Sequence, residues 1–177
     1  MRDMTATPTT ATPTVLTEAL RREGVTDART DALTIGMYAT DAGIYRVPPR
    51  AVVFPRHTDE IAATLSVARE LGVPVTTRGA GTSCAGNAVG PGIVIDTARH
   101  LGRVLDVDRD SATALVEAGT VHATLQARAR EIGLRFGPDP SSHSRCTAMS
   151  PSSLILRRTW KLTPSRIPKP SSTSPPS

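Results

Sequence analysis

Aromatic residues and cysteines are scarce in this chain of 177 residues. With two Phe, two Tyr and one Trp, the core must be built from Val, Ile, Leu and Ala. Cys84 and Cys146 lie far apart without a C-x-x-C spacing, which argues against a zinc site, and no metal is expected. The N-terminus lacks an apolar signal stretch, and no segment approaches the roughly 20 apolar residues needed to cross a bilayer. We therefore expect a cytoplasmic protein without a disulfide or a transmembrane segment.

Lysine is absent from residues 1–147, where 16 Arg balance 16 acidic residues. Residues 148–177 instead hold three Arg, both Lys and no acidic residue, together with eight Ser and six Pro. Because this composition is too poor in apolar residues to fold alone, we predict a disordered tail. Residues 157–161 bring cations beside the only Trp, which leaves a nucleic-acid or anionic-membrane patch open, but a solvated coil is favoured and no nucleic-acid partner is expected.

The order of apolar segments predicts an α+β domain. Residues 51–77 form a βαβ unit with parallel strands, in which Thr58 caps the helix and Gly72 ends it. Three further strands are expected to form a meander, and Thr120 is expected to open a last helix that stops at Gly133. The predicted helices are 15–23, 31–38, 58–71 and 120–132, and the predicted strands are 51–54, 73–77, 92–96, 104–107 and 114–118.

A loop rich in glycine and hydroxyl side chains, residues 74–87, follows the second strand of the βαβ unit. It is not a dinucleotide fingerprint, because Cys84 replaces the third glycine and no helix follows, and it has no P-loop lysine. The remaining phosphate-binding arrangement is a nest, in which the backbone N–H groups of residues 79–83 converge on a pyrophosphate. Thr82 and Ser83 would add hydroxyl donors, and Arg78 would add charge. The alternative is a plain glycine-rich turn between strands.

A second candidate loop lies at residues 136–147, where Pro138 and Pro140 fix the backbone and hydroxyl side chains follow closely. Such a segment can hold N–H and O–H donors in place without secondary structure. Taken alone, a surface loop is the more common interpretation. The presence of two such loops in one chain favours a binding role.

Several ordered motifs resemble the flavin-binding domain of FAD-linked oxidases of the p-cresol methylhydroxylase and vanillyl-alcohol oxidase (PCMH) type. The resemblance is greatest to bacterial dehydrogenases of D-lactate, glycolate or 2-hydroxyglutarate that contain FAD and an iron–sulfur cluster. It implies a truncated PCMH-type fold over residues 35–147, a lead-in over 1–34 and the disordered tail over 148–177. The segments that carry it are residues 38–46, Pro48, the strand before Pro55, and residues 74–87, 92–96, 116–119 and 136–147.

The resemblance implies that the two loops embrace FAD from opposite sides. Thr82 stands where some relatives carry a flavin-linked histidine, so non-covalent binding is expected. His143 could touch the flavin as an orienting or solvated group, whereas His57, His100 and His122 are expected to be structural. The implied cofactor-binding residues are Thr77, Arg78, Gly79, Ala80, Gly81, Thr82, Ser83 and Asn87 in the first loop, and Pro138, Asp139, Pro140, Ser141, Ser144 and Thr147 in the second.

The implied chemistry is hydride removal from the α-carbon of a small 2-hydroxy acid to the flavin, with electrons passed to another acceptor. No residue of this chain is assigned as the carboxylate clamp or the base for that reaction. After Thr147 the family would continue with a glycine pair, more of the flavin site, a substrate domain and iron–sulfur cysteines. The chain departs there, and we hypothesise a reading-frame change that leaves an inactive FAD-binding fragment. The alternative is a non-catalytic remnant or a stand-alone flavin-binding or interaction module.

Overall fold

Two four-stranded sheets organise residues 12–138 and 157–164, the part of the chain that the computed structural model describes. None of the helices in these ranges is long and apolar enough to cross a membrane. The helices are α1 (Pro13–Arg22), α2 (Ala32–Tyr38), α3 (Thr58–Glu70) and α4 (His122–Glu131). The strands are β1 (Ala28–Arg29), β2 (Ala51–Val53), β3 (Val75–Arg78), β4 (Ile93–Asp96), β5 (Val104–Asp108), β6 (Thr113–Glu117), β7 (Leu134–Phe136) and β8 (Arg157–Pro164).

The first sheet has the strand order β1-β2-β4-β3. Strands β2 and β3 are parallel, as predicted for the βαβ unit, but they are not neighbours, because β4 lies between them and is parallel to both. The predicted meander was therefore wrong for β4. Its residues are buried throughout, which suits a central parallel strand covered on both faces and does not suit a half-exposed meander strand.

The two faces of the first sheet bury alternate residues of the same strands. On one face Val53 and Ile95 pack with Leu16 and Leu20 of α1 and with Ile61 of α3. The opposite face holds a smaller cluster of Val52, Phe54 and Val94, against which Ile35 and Tyr38 pack. The predicted lead-in, residues 1–34, thus contributes α1 and β1 to this part of the fold.

Helix α3 begins at Thr58, but the predicted cap is wrong, because His57 occupies the N-cap position and makes no side-chain cap hydrogen bond. Glu60 in the first turn instead binds the chain around it. Its carboxylate accepts the N–H and hydroxyl of Thr26 at 3.0 and 2.6 Å and the N–H of Arg56 at 2.7 Å. Burial of Glu60 opposes its ionisation, but these hydrogen bonds outweigh burial and hold the pKa of the carboxyl below its usual value.

Helix α4 begins at His122, two residues after the predicted start at Thr120. The Thr120 hydroxyl does not cap the helix but donates to the carbonyl of Arg103 at 2.9 Å. Gly133 follows the helix with a φ of +74°, which fits the predicted stop. The predicted helix is therefore confirmed, but it begins two residues later than predicted, because the Thr120 side chain is bound elsewhere.

The second sheet is antiparallel, with the strand order β5-β6-β8-β7. The hairpin of β5 and β6 confirms that part of the predicted meander. Strand β8 lies within the stretch 148–177 that was predicted to be disordered, so the prediction was wrong for residues 157–164. The cause is alternation: Leu162 is buried and Trp160 half-buried against this core, while Thr159 and Lys161 are exposed. Average composition over 30 residues does not reveal such a period of two.

Candidate functional site

The glycine-rich loop leaves the first sheet at the carboxyl end of β3, beside the end of β4. Thr77 and Arg78 are the last two residues of β3, and the N–H of Thr97 donates to the Arg78 carbonyl at 3.0 Å. Ligands of sheets with parallel strands commonly bind outside the carboxyl ends of those strands. The first candidate loop therefore occupies the edge of the sheet where a ligand is expected.

The backbone of this loop presents N–H groups that the described protein does not use. Within residues 12–138 and 157–164, no N–H from residue 79 to residue 83 donates a hydrogen bond. Gly81 has a φ of +68°, in the left-handed region that favours glycine. The Ser83 hydroxyl oxygen accepts the N–H groups of Ala85 and Asn87, both at 3.2 Å, which turns the chain back towards the sheet. Consecutive free N–H groups of this kind are what an anion-binding nest requires.

The side chain of Arg78 contacts other parts of the protein, which its predicted role as a charged ligand of the phosphate did not anticipate. Its Nη1 donates to the carbonyl of Thr40 at 2.8 Å and to that of Ala88 at 3.2 Å. The guanidinium carbon lies 4.8 Å from the centre of the Tyr38 ring, which is a cation–π contact. These contacts join Arg78 to the chain on both sides of the loop, and a direct role on a pyrophosphate stays a prediction.

The segment that follows α2 supports the loop from outside. The N–H of Ala42 donates to the Gly81 carbonyl at 3.1 Å. Asp41 accepts the N–H of Gly43 at 2.8 Å and that of Ala88 at 3.4 Å. Asp41 was not among the predicted site residues, because it lies more than thirty positions before the loop and only the fold brings the two together.

Tyr38 connects Arg78 to the end of β4. Its hydroxyl donates to the carboxylate of Asp96, whose other oxygen accepts the N–H groups of Ala98 and Arg99 at 2.8 and 3.2 Å. Burial, with this hydrogen bond as the second cause, raises the pKa of Tyr38 well above its ordinary value. The tyrosine therefore stays protonated and keeps its donor on Asp96. Its ring also packs in a T-shaped arrangement with the ring of Phe54, with 5.6 Å between the two ring centroids.

The second candidate loop is described only up to Pro138. The ring of His122 donates from Nε2 to the Pro138 carbonyl at 2.6 Å. The side chain of Gln126 makes two hydrogen bonds with the backbone of Phe136. Its amide N–H donates to the Phe136 carbonyl at 2.8 Å, and its amide oxygen accepts the Phe136 N–H at 3.0 Å. His122, which was expected to be structural, thus anchors the start of this loop. The remaining predicted residues, Asp139, Pro140, Ser141, His143, Ser144 and Thr147, lie outside the described residues.

Comparison with known proteins shows the family of the chain. A family model described as an FAD binding domain matches residues 49–153, more than half of the chain. The chain belongs to this FAD-binding domain family. The match includes β2, α3, β3 and the glycine-rich loop, and it continues into the second loop.

Named relatives of this FAD-binding domain are enzymes of 2-hydroxy acids. The chain is 34% identical over 134 residues to D-2-hydroxyglutarate dehydrogenase of Pantoea ananatis, with 73% of this chain but 13% of that enzyme covered. It is 35% identical over 99 residues to a glycolate oxidase subunit of Bacillus subtilis, with 55% of this chain and 21% of the subunit covered. A D-lactate dehydrogenase of Archaeoglobus fulgidus is 37% identical over 105 residues, with 55% of this chain and 23% of that enzyme covered. The chain therefore spans a quarter or less of these relatives.

Solved structures place the fold in the predicted class. An alkyldihydroxyacetonephosphate synthase superimposes with a TM-score of 0.64 at 21% identity, covering 74% of this chain and 28% of the synthase. A p-cresol methylhydroxylase with bound substrate gives a TM-score of 0.64 at 14% identity, covering 74% of this chain and 27% of the other. The PCMH-type FAD-binding fold that the sequence predicted is confirmed.

The described residues fit the pyrophosphate of an FAD. A pyrophosphate offers several acceptor oxygens and negative charge, which match the unused N–H groups of residues 79–83. Loop residues Ala80 and Asn87 are exposed, while Thr82 and Ser83 are partly buried beside the free N–H groups. No residue in this stretch carries a negative charge that would oppose a phosphate.

Proposed function

We propose that the chain is the FAD-binding portion of a flavin-dependent oxidoreductase that acts on a small 2-hydroxy acid of the D-lactate, glycolate or 2-hydroxyglutarate class. The observation that carries the proposal is the run of unused N–H groups at residues 79–83, inside the segment that the FAD binding family model matches. The substrate class rests on the relatives, whose names contain three different 2-hydroxy acids.

In this proposal the first loop holds the pyrophosphate. Thr77 and residues 79–83 donate from the backbone, the hydroxyls of Thr82 and Ser83 add donors, and Asn87 closes the loop. Pro138 and the predicted residues that follow it line the cofactor from the other side. Binding is non-covalent, because Thr82 stands in place of the histidine that is linked to the flavin in some relatives. The bound flavin would supply the hydride-accepting chemistry.

We further propose that this chain binds FAD more weakly than its long relatives and does not turn over substrate. The chain spans 13% of the Pantoea enzyme. A carboxylate clamp, a base and an iron–sulfur centre would have to come from sequence of the kind that the longer relatives add. Residues 35–147 are the partial FAD-binding domain in this scheme.

A direct test is to add FAD to the purified chain and follow both its visible absorbance and its melting temperature. A ligand that binds only the folded state raises the melting temperature with concentration. We expect FAD to do so and riboflavin, which lacks the pyrophosphate, to have little effect. A colourless protein whose melting temperature does not change with FAD would remove the proposal.

The second candidate function is a stand-alone flavin-binding or interaction module whose tail is genuine. The observation that favours it is β8, which pairs with both β6 and β7 and contributes Leu162 to the second core. The coding DNA across codons 145–150 separates the two functions. A Gly-Gly continuation in another frame would support the broken front end of a longer dehydrogenase, and its absence would support the module.

A further inference from the structure

We infer that Arg78 is a positioning residue, which holds the cofactor loop in its binding shape and does not itself contact the phosphates. The inference rests on the proposed function, because that function assigns the loop to FAD. It differs from the role expected for a lone arginine beside a nest, which would be a charged ligand of the anion.

The hydrogen bonds of Arg78 join three separate parts of the chain. Its Nη1 reaches the carbonyl of Thr40, which lies after α2, and the carbonyl of Ala88, which lies where the loop returns to the sheet. Arg78 itself ends β3, where the loop begins. One side chain thus links the start of the loop, its end and the segment outside it. The distance between the ends of the loop is held by this guanidinium.

The guanidinium is also packed against the loop backbone. A Cβ atom built on Gly81 would lie 2.5 Å from Nη2 and 2.8 Å from Cζ of Arg78, so the guanidinium fills the space beside the Gly81 α-carbon. Gly81 in turn accepts the N–H of Ala42 through its carbonyl at 3.1 Å. The middle of the loop is therefore clamped between Arg78 and the segment after α2.

The position of Arg78 is itself fixed from the side opposite the loop. Its guanidinium stacks on Tyr38, and the Tyr38 hydroxyl is bound to Asp96 at the end of β4. Asp96 is 7% exposed and belongs to a buried strand. A lysine would keep the positive charge at this place, but it cannot stack a planar group on Tyr38 while donating to two carbonyls. Arg78→Lys therefore keeps the positive charge and removes the planar group, whereas Arg78→Gln removes the charge.

The test measures hydrogen exchange of single amides in the FAD-free protein for Arg78→Lys, Arg78→Gln and Arg99→Gln. Arg99 is the matched control, because its guanidinium also stacks on an aromatic ring, that of Phe54 at 4.5 Å, without donating to the loop. The Ala42 amide reports the loop, since its acceptor is the Gly81 carbonyl. The Val73 amide, which donates to Ala68 at 2.8 Å, reports global unfolding.

We expect both Arg78 variants to raise exchange at Ala42 about tenfold or more, as the loss of a charged hydrogen bond predicts, with Val73 and the Arg99→Gln protein unchanged. Both should weaken FAD binding by a similar factor. Unchanged Ala42 exchange in both variants, with FAD binding lost in Arg78→Gln and kept in Arg78→Lys, would overturn the inference and make Arg78 a charged ligand. If the wild-type chain binds no FAD while the variants still raise Ala42 exchange, the proposed function fails and the clamp stands.

Discussion

Replacing Gly81 by alanine should disturb the protein far more than the same replacement at Gly72. Both glycines have a positive φ, +68° and +61°, so each alanine would bear the cost of a left-handed backbone, about 1–2 kcal/mol. At Gly72 the new methyl group would meet nothing within 4 Å. At Gly81 it would lie 2.5 Å from Arg78 Nη2 and would displace the guanidinium.

The displaced guanidinium would leave the carbonyls of Thr40 and Ala88, and a hydrogen bond to a charged group contributes about 1.5–3 kcal/mol. Counting one such bond, because a single Nη1 serves both carbonyls, the free energy of unfolding should fall by about 2.5–5 kcal/mol for Gly81→Ala and by about 1–2 kcal/mol for Gly72→Ala. Urea unfolding followed by far-ultraviolet circular dichroism measures both values. An FAD titration of the two variants should show weakened binding for Gly81→Ala alone. Equal losses of stability in the two variants would refute the packing of Arg78 against the loop.

Three further predictions concern stability and the second loop. Glu60→Gln should cost about 1–3 kcal/mol, because the amide nitrogen cannot accept the N–H groups that the carboxylate binds, whereas the exposed Glu70→Gln should be nearly neutral in urea unfolding. A carboxyl whose folded pKa is lowered stabilises the protein above its unfolded pKa, so wild-type stability should fall as the pH drops through the folded pKa of Glu60, and Glu60→Gln should lack this part of the slope. Leu162→Ala should cost about 2–5 kcal/mol if β8 belongs to the core, with the exposed Lys161→Ala as control, and a loss below about 0.5 kcal/mol would contradict the strand. Gln126→Ala should speed hydrogen exchange at the Phe136 amide, whose acceptor is the Gln126 oxygen, and an unchanged rate would contradict that contact.

The local elements of the first sheet were predictable from the sequence, but their order was not. The apolar run of β2, the helix α3 and the glycine at position 72 are local signals, and all three elements lie where they were expected. Strand β4 is four apolar or acidic residues long, and nothing in so short a run distinguishes a parallel neighbour from an antiparallel one. Its place between β2 and β3 depends on burial from both faces, which only the packed fold defines.

In the candidate site, too, local features were predictable from the sequence and long-range contacts were not. The small residues after a strand predicted a nest and left a plain turn open; the loop does hold unused N–H groups at residues 79–83, and anion binding there stays a prediction. The contacts of Arg78 were not predicted, because their partners at Thr40, Ala88 and Tyr38 come from other segments. His122 was expected to be structural and is, but its partner could not be named from the sequence, because the acceptor is a backbone carbonyl.

The backbone amide resonances of the loop report whether residues 79–83 bind the pyrophosphate of FAD. In an isotope-labelled sample of the chain, FAD should shift the N–H signals of residues 79–83 strongly, while riboflavin should leave them nearly unchanged, because these groups would donate to the pyrophosphate. Signals of the β5–β6 hairpin turn, at residues 109–112, serve as the internal control. FAD binding that leaves the signals of residues 79–83 in place would contradict the account.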